Sequence, residues 1–137
     1  MTLSALCDDA LRARDTSTEV RLSLPWIRSL PLASLLDPVV ALDGRSHEPT
    51  ISLSGRRVKA VDLAGENGWW YLQDRVVLEI PDAVTPGIHE VSVSFSLEIP
   101  YLPGGPDAPL RLPFAFARSL RTTTPAGGVS LDVGEAA

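Results

Sequence analysis

Residues 91–101 constrain the fold more than any other stretch. Val91, Val93, Phe95, Leu97, Ile99 and Tyr101 hold one phase of a two-residue repeat, and Ser92, Ser94, Ser96, Glu98 and Pro100 hold the other. A period of two sends alternate side chains to opposite faces of an extended chain, whereas a helical period would scatter these apolar residues around a cylinder. Val, Phe, Ile and Tyr also suit a pleated, half-buried surface. The run therefore reads as a long antiparallel strand with one wet face, entered through a turn at Thr85-Pro86-Gly87.

Weaker alternations flank it. In residues 19–25, Val20, Leu22 and Leu24 oppose Arg21 and Ser23, and Pro25, lacking an N–H, marks an edge strand or the end of pairing. Residues 38–42 read as a short strand closed by an Asp43-Gly44 turn. Residues 50–53 and 58–63 read as a hairpin about Gly55, with Arg56, Arg57 and Lys59 as a solvated edge. Residues 69–80 read as one strand with Trp70, Leu72, Val76, Leu78 and Ile80 inward; Asp74 shares that phase, so a bulge or a paired acid is expected there. In residues 110–121, Leu112, Phe114 and Phe116 share a phase. Residues 1–18 fit either a short amphipathic helix or a short strand with a turn at Asp8-Asp9. About seven strands in mostly antiparallel order predict an all-β sandwich, immunoglobulin-like or related, over residues 19–121. An N-terminal segment, 1–18, precedes it and a mobile tail, 122–137, follows.

Composition narrows the function classes. The formal net charge is -5, which argues against nucleic acid and anionic membrane as partners, since both need a basic patch. No apolar run approaches a membrane span, and the N-terminus carries acids where a signal peptide needs an apolar core, so a cytoplasmic location is expected. A single cysteine, Cys7, excludes an internal disulfide. His47 and His89 lie on separate segments without metal-ligand spacing, and His89 opens the long strand, where a satisfied structural role is expected. No Gly-x-Ser-x-Gly elbow or phosphate-cradling glycine loop is present. No catalytic residue, cofactor site or metal site is therefore expected in this chain.

The apolar loops are more informative. Residues 26–36 hold Trp26, Ile27 and four leucines around Pro31, and residues 101–109 combine Tyr101 and Leu102 with four glycines and prolines before Asp107. Loops of a lone globule are normally polar, so apolar loops point to an interface, and prolines lower its ordering cost. Trp26, Ile27, Leu30, Tyr101, Leu102 and Pro103 are the expected contact residues. Trp69 and Trp70 must point to opposite faces of their strand, so one is exposed or covered by something else.

Several stretches carry a resemblance. Val20-Arg21-Leu22, the run from Leu30 to Ser34, the run from Val39 to Gly44, Trp70 with Asp74, the run from Pro86 to Val93, and Ile99-Pro100-Tyr101-Leu102-Pro103 stand in an order similar to that of the β subunits of bacterial C-glycoside deglycosidases. The resemblance implies a small β-sandwich bound to an α subunit of TIM-barrel, sugar-isomerase-like fold. That α subunit would hold a divalent metal, manganese, and the catalytic base. It also implies a carbon–carbon lyase reaction, in which a 3-oxo-C-glycoside loses its aromatic aglycone by elimination. The competing expectation is a free-standing carbohydrate-binding or interaction sandwich. A small self-sufficient enzyme is a third, weaker alternative.

Overall fold

The structure, a computed structural model, describes residues 5–14, 16–53, 56–106, 108–123 and 131–132. Among them are twelve strands: β1 (Leu11–Ala13), β2 (Thr18–Ser23), β3 (Leu30–Pro31), β4 (Leu35–Leu42), β5 (Arg45–His47), β6 (Thr50–Leu53), β7 (Arg56–Lys59), β8 (Trp69–Trp70), β9 (Asp74–Ile80), β10 (Ile88–Gly105), β11 (Ala108–Arg121) and β12 (Leu131–Asp132). Seven of these, β2, β4, β6, β7, β9, β10 and β11, have four residues or more. Helix is confined, in the described residues, to 3-10 turns at Leu32–Ser34 and Ala60–Gly65. One sheet runs β1-β2-β9-β6-β7, with β12 added beside β9; the other runs β11-β10-β4-β5; β3 and β8 form a small separate pair. Every pairing is antiparallel except β12 on β9.

The alternation in β10 reports the core faithfully. Val91, Val93, Phe95, Leu97 and Ile99 are at most 4% exposed. They meet Val20, Leu22, Ile51, Val76, Leu78 and Ile80 from the facing sheet in one apolar cluster. β11 pairs along nearly the whole of β10, so Phe116 lies opposite Val93, Phe114 opposite Phe95 and Leu112 opposite Leu97. Phe95, Phe114 and Phe116 stack with ring centroids 5.6–6.3 Å apart. Because β11 is the edge of its sheet, Leu112, Phe114 and Phe116 are only half-buried.

Elsewhere the structure departs from the periodic reading. Residues 69–80 are not one strand: β8 ends at Trp70, a turn follows, and the Asp74 N–H donates to the Tyr71 carbonyl (3.0 Å) before β9 begins. Leu72 is thus thrown outward, while Trp70 is fully buried, its indole N–H donating to the Asp74 carbonyl at 3.2 Å. The expected 58–63 strand is instead β7, which pairs with β6 from Leu53↔Arg56 to Thr50↔Lys59 and then gives way to the 3-10 turn; Gly55 itself lies outside the described residues. β4 begins at Leu35, upstream of the expected Pro38. A register shift against β10, with Asp37 at φ 49°, absorbs one extra residue as a bulge and lets Pro38 sit within the strand.

Residues 5–13 belong to the sandwich and hold no helix. Ala5, Leu6, Ala10 and Leu11 are fully buried, and β1 pairs with β2. β2 is therefore flanked on both sides, and its pairing ends at Ser23, two residues before Pro25. The outer face of β2 and β9 is not wet either: Glu19, Arg21, Arg75 and Val77 are buried. Arg12 and Arg14 donate to the Glu19 carboxylate (3.4 and 3.2 Å) and Arg75 donates to Asp9 (2.7 Å), so these charges are paired where they leave water. The expected tail over 122–137 falls mostly outside the described residues, of which Leu131 and Asp132 lie beside Asp74 and Arg75.

Candidate interaction surface

The strands bring chemistry to the two ends of the sandwich. At one end β2 finishes, β9 starts and β10 runs out past β4, whose last pairing is Leu35 with Leu97. Residues 98–105 therefore extend beyond their β4 neighbour, still paired with β11 through residue 108. Past Ile99 the register against β11 shifts and the alternation ends, and Tyr101, beyond the end of the core, is 47% exposed. At the hairpin tip a side chain on Gly104 would lie 2.6 Å from the Leu110 Cα and from the Pro109 carbonyl oxygen, so only glycine allows that close crossing.

Residues 26–31 wrap across this end. The Trp26 indole N–H donates to the Tyr101 hydroxyl at 2.6 Å, and the Arg28 guanidinium lies 5.7 Å from the Tyr101 ring centroid, within cation–π range. The Leu72 N–H donates to the Ser29 hydroxyl at 3.0 Å, and β3 pairs with β8, so Leu30 faces Trp70 and Pro31 faces Trp69. Sequence reasoning placed Trp26 and Tyr101 on one surface, and they are in direct contact. Ile27 and Pro103 are exposed and Leu102 is half-buried. Leu30 is a correction: it is fully buried, because pairing with Trp70 turns it into the core with Leu32 and Leu35. Much of the apolar content of residues 26–36 is thus core, and the surface part is Trp26, Ile27 and their neighbours.

Three contributors were missed. Trp69, Tyr71 and Leu72 are each about half exposed and join Ile27 and Tyr101, so five of the seven large exposed hydrophobics among the described residues share this end. The Trp69-Trp70 opposition was the available signal; the turn that exposes Tyr71 and Leu72 has no periodicity to betray it.

The other end carries a polar network within the chain. Asp43 (φ 49°) and Gly44 (φ 87°) make the two-residue turn between β4 and β5, where left-handed backbone is required at both positions. The Asp43 carboxylate accepts from the Glu90 N–H (2.9 Å) and lies 2.6 Å from His89 Nδ1, while His89 Nε2 lies 2.7 Å from the Thr85 carbonyl. Both ring nitrogens face acceptors, so the doubly protonated imidazolium satisfies both. The hydrogen bond to Asp43 raises the His89 pKa above the ordinary 6.5, helped by the Thr85 carbonyl, and hydrogen bonds from His89 and from the Glu90 backbone lower that of Asp43 below 3.8. His89 is the satisfied structural histidine the sequence suggested. His47 lies 3.6 Å from Asp82 beside an open concavity shared with Asp43 and Arg45. Among the described residues no group of three or more His, Cys, Asp or Glu is placed to hold a metal.

No protein-family model matches the chain. It is 31% identical over 103 residues to the 3'-dehydrocarminate deglycosidase beta subunit of Microbacterium sp, covering 72% of this chain and 78% of that protein. The chain belongs to the C-glycoside deglycosidase β-subunit family. The all-β sandwich of a C-glycoside deglycosidase β subunit thus presents one apolar, aromatic end and one end with an internal polar network. No helix among the described residues is long and apolar enough to cross a membrane.

Proposed function

We propose that this chain is the non-catalytic β subunit of a C–C-cleaving lyase complex acting on 3-oxo-C-glycosides. The similarity to a β subunit over 72% of the chain carries this reading. The name of that relative designates a dehydro-glycoside as its substrate and a β subunit as its place in an assembly, which favours an oxo-sugar substrate and an α partner here. In this reading the α subunit is a TIM barrel of the sugar-isomerase kind and supplies the base and the divalent metal, manganese. A ketone at C3 acidifies the C2 proton; the base removes it, the C2 pair forms a C1=C2 double bond, and the aglycone leaves C1 with the bonding pair and takes up a proton. The described residues do not fit a metal. His89 has both nitrogens engaged, His47 lies 3.6 Å from Asp82, and no group of three or more His, Cys, Asp or Glu converges there among the described residues. No step is therefore assigned to them, and the complex is placed in the cytoplasm.

The α-subunit contact is assigned to the aromatic end: Trp26, Ile27, Tyr101, Leu102 and Pro103, extended by Trp69, Tyr71 and Leu72. Exposed aromatic clusters of this kind supply large, rigid contact area at low entropic cost. The test is an assay of aglycone release from a 3-oxo-C-glycoside by this chain, by the α subunit and by the purified complex. Turnover is expected from the complex and none from this chain. Full turnover by the isolated chain, or by the α subunit without it, overturns the reading. The exposed rings of Trp69, Tyr71 and Tyr101 also favour a second reading, a carbohydrate-binding sandwich; it requires glycan binding by the isolated chain and no stable complex with the α subunit.

A further inference from the structure

Tyr101 is held in place before any partner arrives. Its hydroxyl oxygen accepts the Trp26 indole N–H (2.6 Å), so its own proton is left to donate elsewhere, and no acceptor for that proton is found among the described residues. The Arg28 guanidinium lies over the same ring, 5.7 Å from the centroid, and has no carboxylate partner among the described residues. Arg28 thus differs from Arg12, Arg14, Arg56, Arg57, Arg75, Arg111 and Arg118, each of which lies against a carboxylate. Both sets of unused donors sit beside Ile27 on an otherwise apolar end.

In water this costs nothing, because solvent satisfies the guanidinium and the phenol. Under a docked protein the same groups would lose that solvent. An arginine cation buried without a counter-charge is strongly unfavourable, and its cation–π contact offsets only part of the loss. An arginine fork beside a phenolic donor matches the two oxygens of a carboxylate, whose bonds to such donors are short and charge-assisted.

We infer that Arg28 and Tyr101 form a donor pair that receives an acidic side chain of the α subunit within the aromatic docking face. This inference rests on the proposed assembly with an α subunit and adds the chemistry by which this end selects its partner. The apolar residues supply contact area, and the donor pair sets register and rejects surfaces lacking an acid at that point. Trp26 acts through Tyr101: its N–H holds the phenol oxygen and leaves the hydroxyl proton free to donate.

The test measures the Kd of the full chain for its purified α subunit as a function of salt, for wild type, Ile27→Asp, Arg28→Gln, Tyr101→Phe and the Arg28→Gln/Tyr101→Phe double variant. Unchanged melting temperatures of the isolated variants establish that each is folded. Ile27→Asp is expected to abolish assembly. Arg28→Gln should weaken binding on the order of 30-fold or more and flatten the salt dependence, as loss of one partner of a desolvated charge pair does. Tyr101→Phe should weaken binding about tenfold, the size of one neutral-to-charged hydrogen bond. The double variant should lose less than the two singles combined, because both donors serve one acceptor. If Ile27→Asp blocks assembly while Arg28→Gln and Tyr101→Phe bind like wild type, the donor pair is overturned and the docking face stands. If Ile27→Asp binds normally, the placement of the face fails and the donor pair with it. If the wild-type chain does not bind the α subunit, the β-subunit reading itself fails.

Discussion

The two ends of β10 solve the problem of a strand terminus in opposite ways. At the Ile88 end, both ring nitrogens of His89, the Asp43 carboxylate, the Thr85 carbonyl and the Glu90 N–H find partners inside the chain. At the Gly105 end the strand outruns its neighbour β4 and leaves Tyr101, Ile27, Trp69, Tyr71 and Leu72 in water. Completeness marks a boundary of the molecule; incompleteness marks a place where another surface is needed. In the proposed assembly the contrast also separates folding energy from recognition: the contacts of the polar end lie within this chain, and the aromatic end would gain energy on docking.

The sharpest way to break that contrast is to cut the strand between the two ends. Phe95 is 4% exposed and stacks on Phe114 and Phe116. Phe95→Ala should cost roughly 3–5 kcal/mol of stability. Tryptophan fluorescence from the aromatic end and His89 resonances from the polar end should then melt together in chemical denaturation; separate transitions would mean that the ends are independent units.

A smaller effect belongs to the polar end alone. His89 has a raised pKa in the folded chain, so its contribution is fully present below the unfolded value near 6.5 and is lost as pH rises through the higher folded value. Asp43 has a lowered pKa, so its contribution is present above the unfolded value of 3.8 and is lost as pH falls through the lower folded value. Other charges near this end are Arg45, His47, Asp82 and Glu90, the last of which accepts from the Ser119 hydroxyl. The difference in melting temperature between wild type and His89→Asn should be largest between about pH 4 and 6.5 and shrink in alkali. A constant difference from pH 5 to 9 would show that the imidazolium has no part in it. Affinity for the α subunit should be unchanged in this variant.

The smallest effect is expected on the wet face. Ser94 is exposed opposite the Phe95 phase, and Ser94→Ala should change stability by no more than about 0.5 kcal/mol. A loss comparable to that of Phe95→Ala would place a covering layer on that face.

Legibility in the sequence followed the same division. β10 and β11 were readable because one face is core and the other is solvent, so hydropathy alternates with the backbone. β2 and β9 were half readable: Val20, Leu22, Val76 and Leu78 announced the core face, but Arg21 and Arg75 carried the signature of water while lying buried. Paired charge under cover looks like exposed charge in a sequence. The 71–73 turn and the Asp37 bulge were invisible because each depends on backbone geometry that no residue repeat encodes. Leu30 was misplaced for a related reason. An apolar residue in a proline-rich connection can pair as a two-residue strand, and only its tertiary neighbour Trp70 decides that it turns inward.

The seam joining residues 6–13 to the end of β11 and Thr123 has a kinetic meaning. Arg118 reaches the Leu6 carbonyl at 2.7 Å across 112 residues of sequence, and Thr123 exchanges hydrogen bonds with Leu11 and Ala13. Contacts of such separation form late, after the local β10–β11 hairpin, because a long loop must be closed before they gain anything. On the ribosome, residues 5–13 have no such mate until residues beyond 118 have emerged. Until then residues 5–13 have β2 as their partner, and the seam with β11 stays open. The aromatic end, built from residues 26–31, 69–72 and 101, is complete in sequence before the seam can close. In the proposed assembly a nascent chain therefore carries its docking face before the seam is closed, and assembly during translation has a window in which to begin.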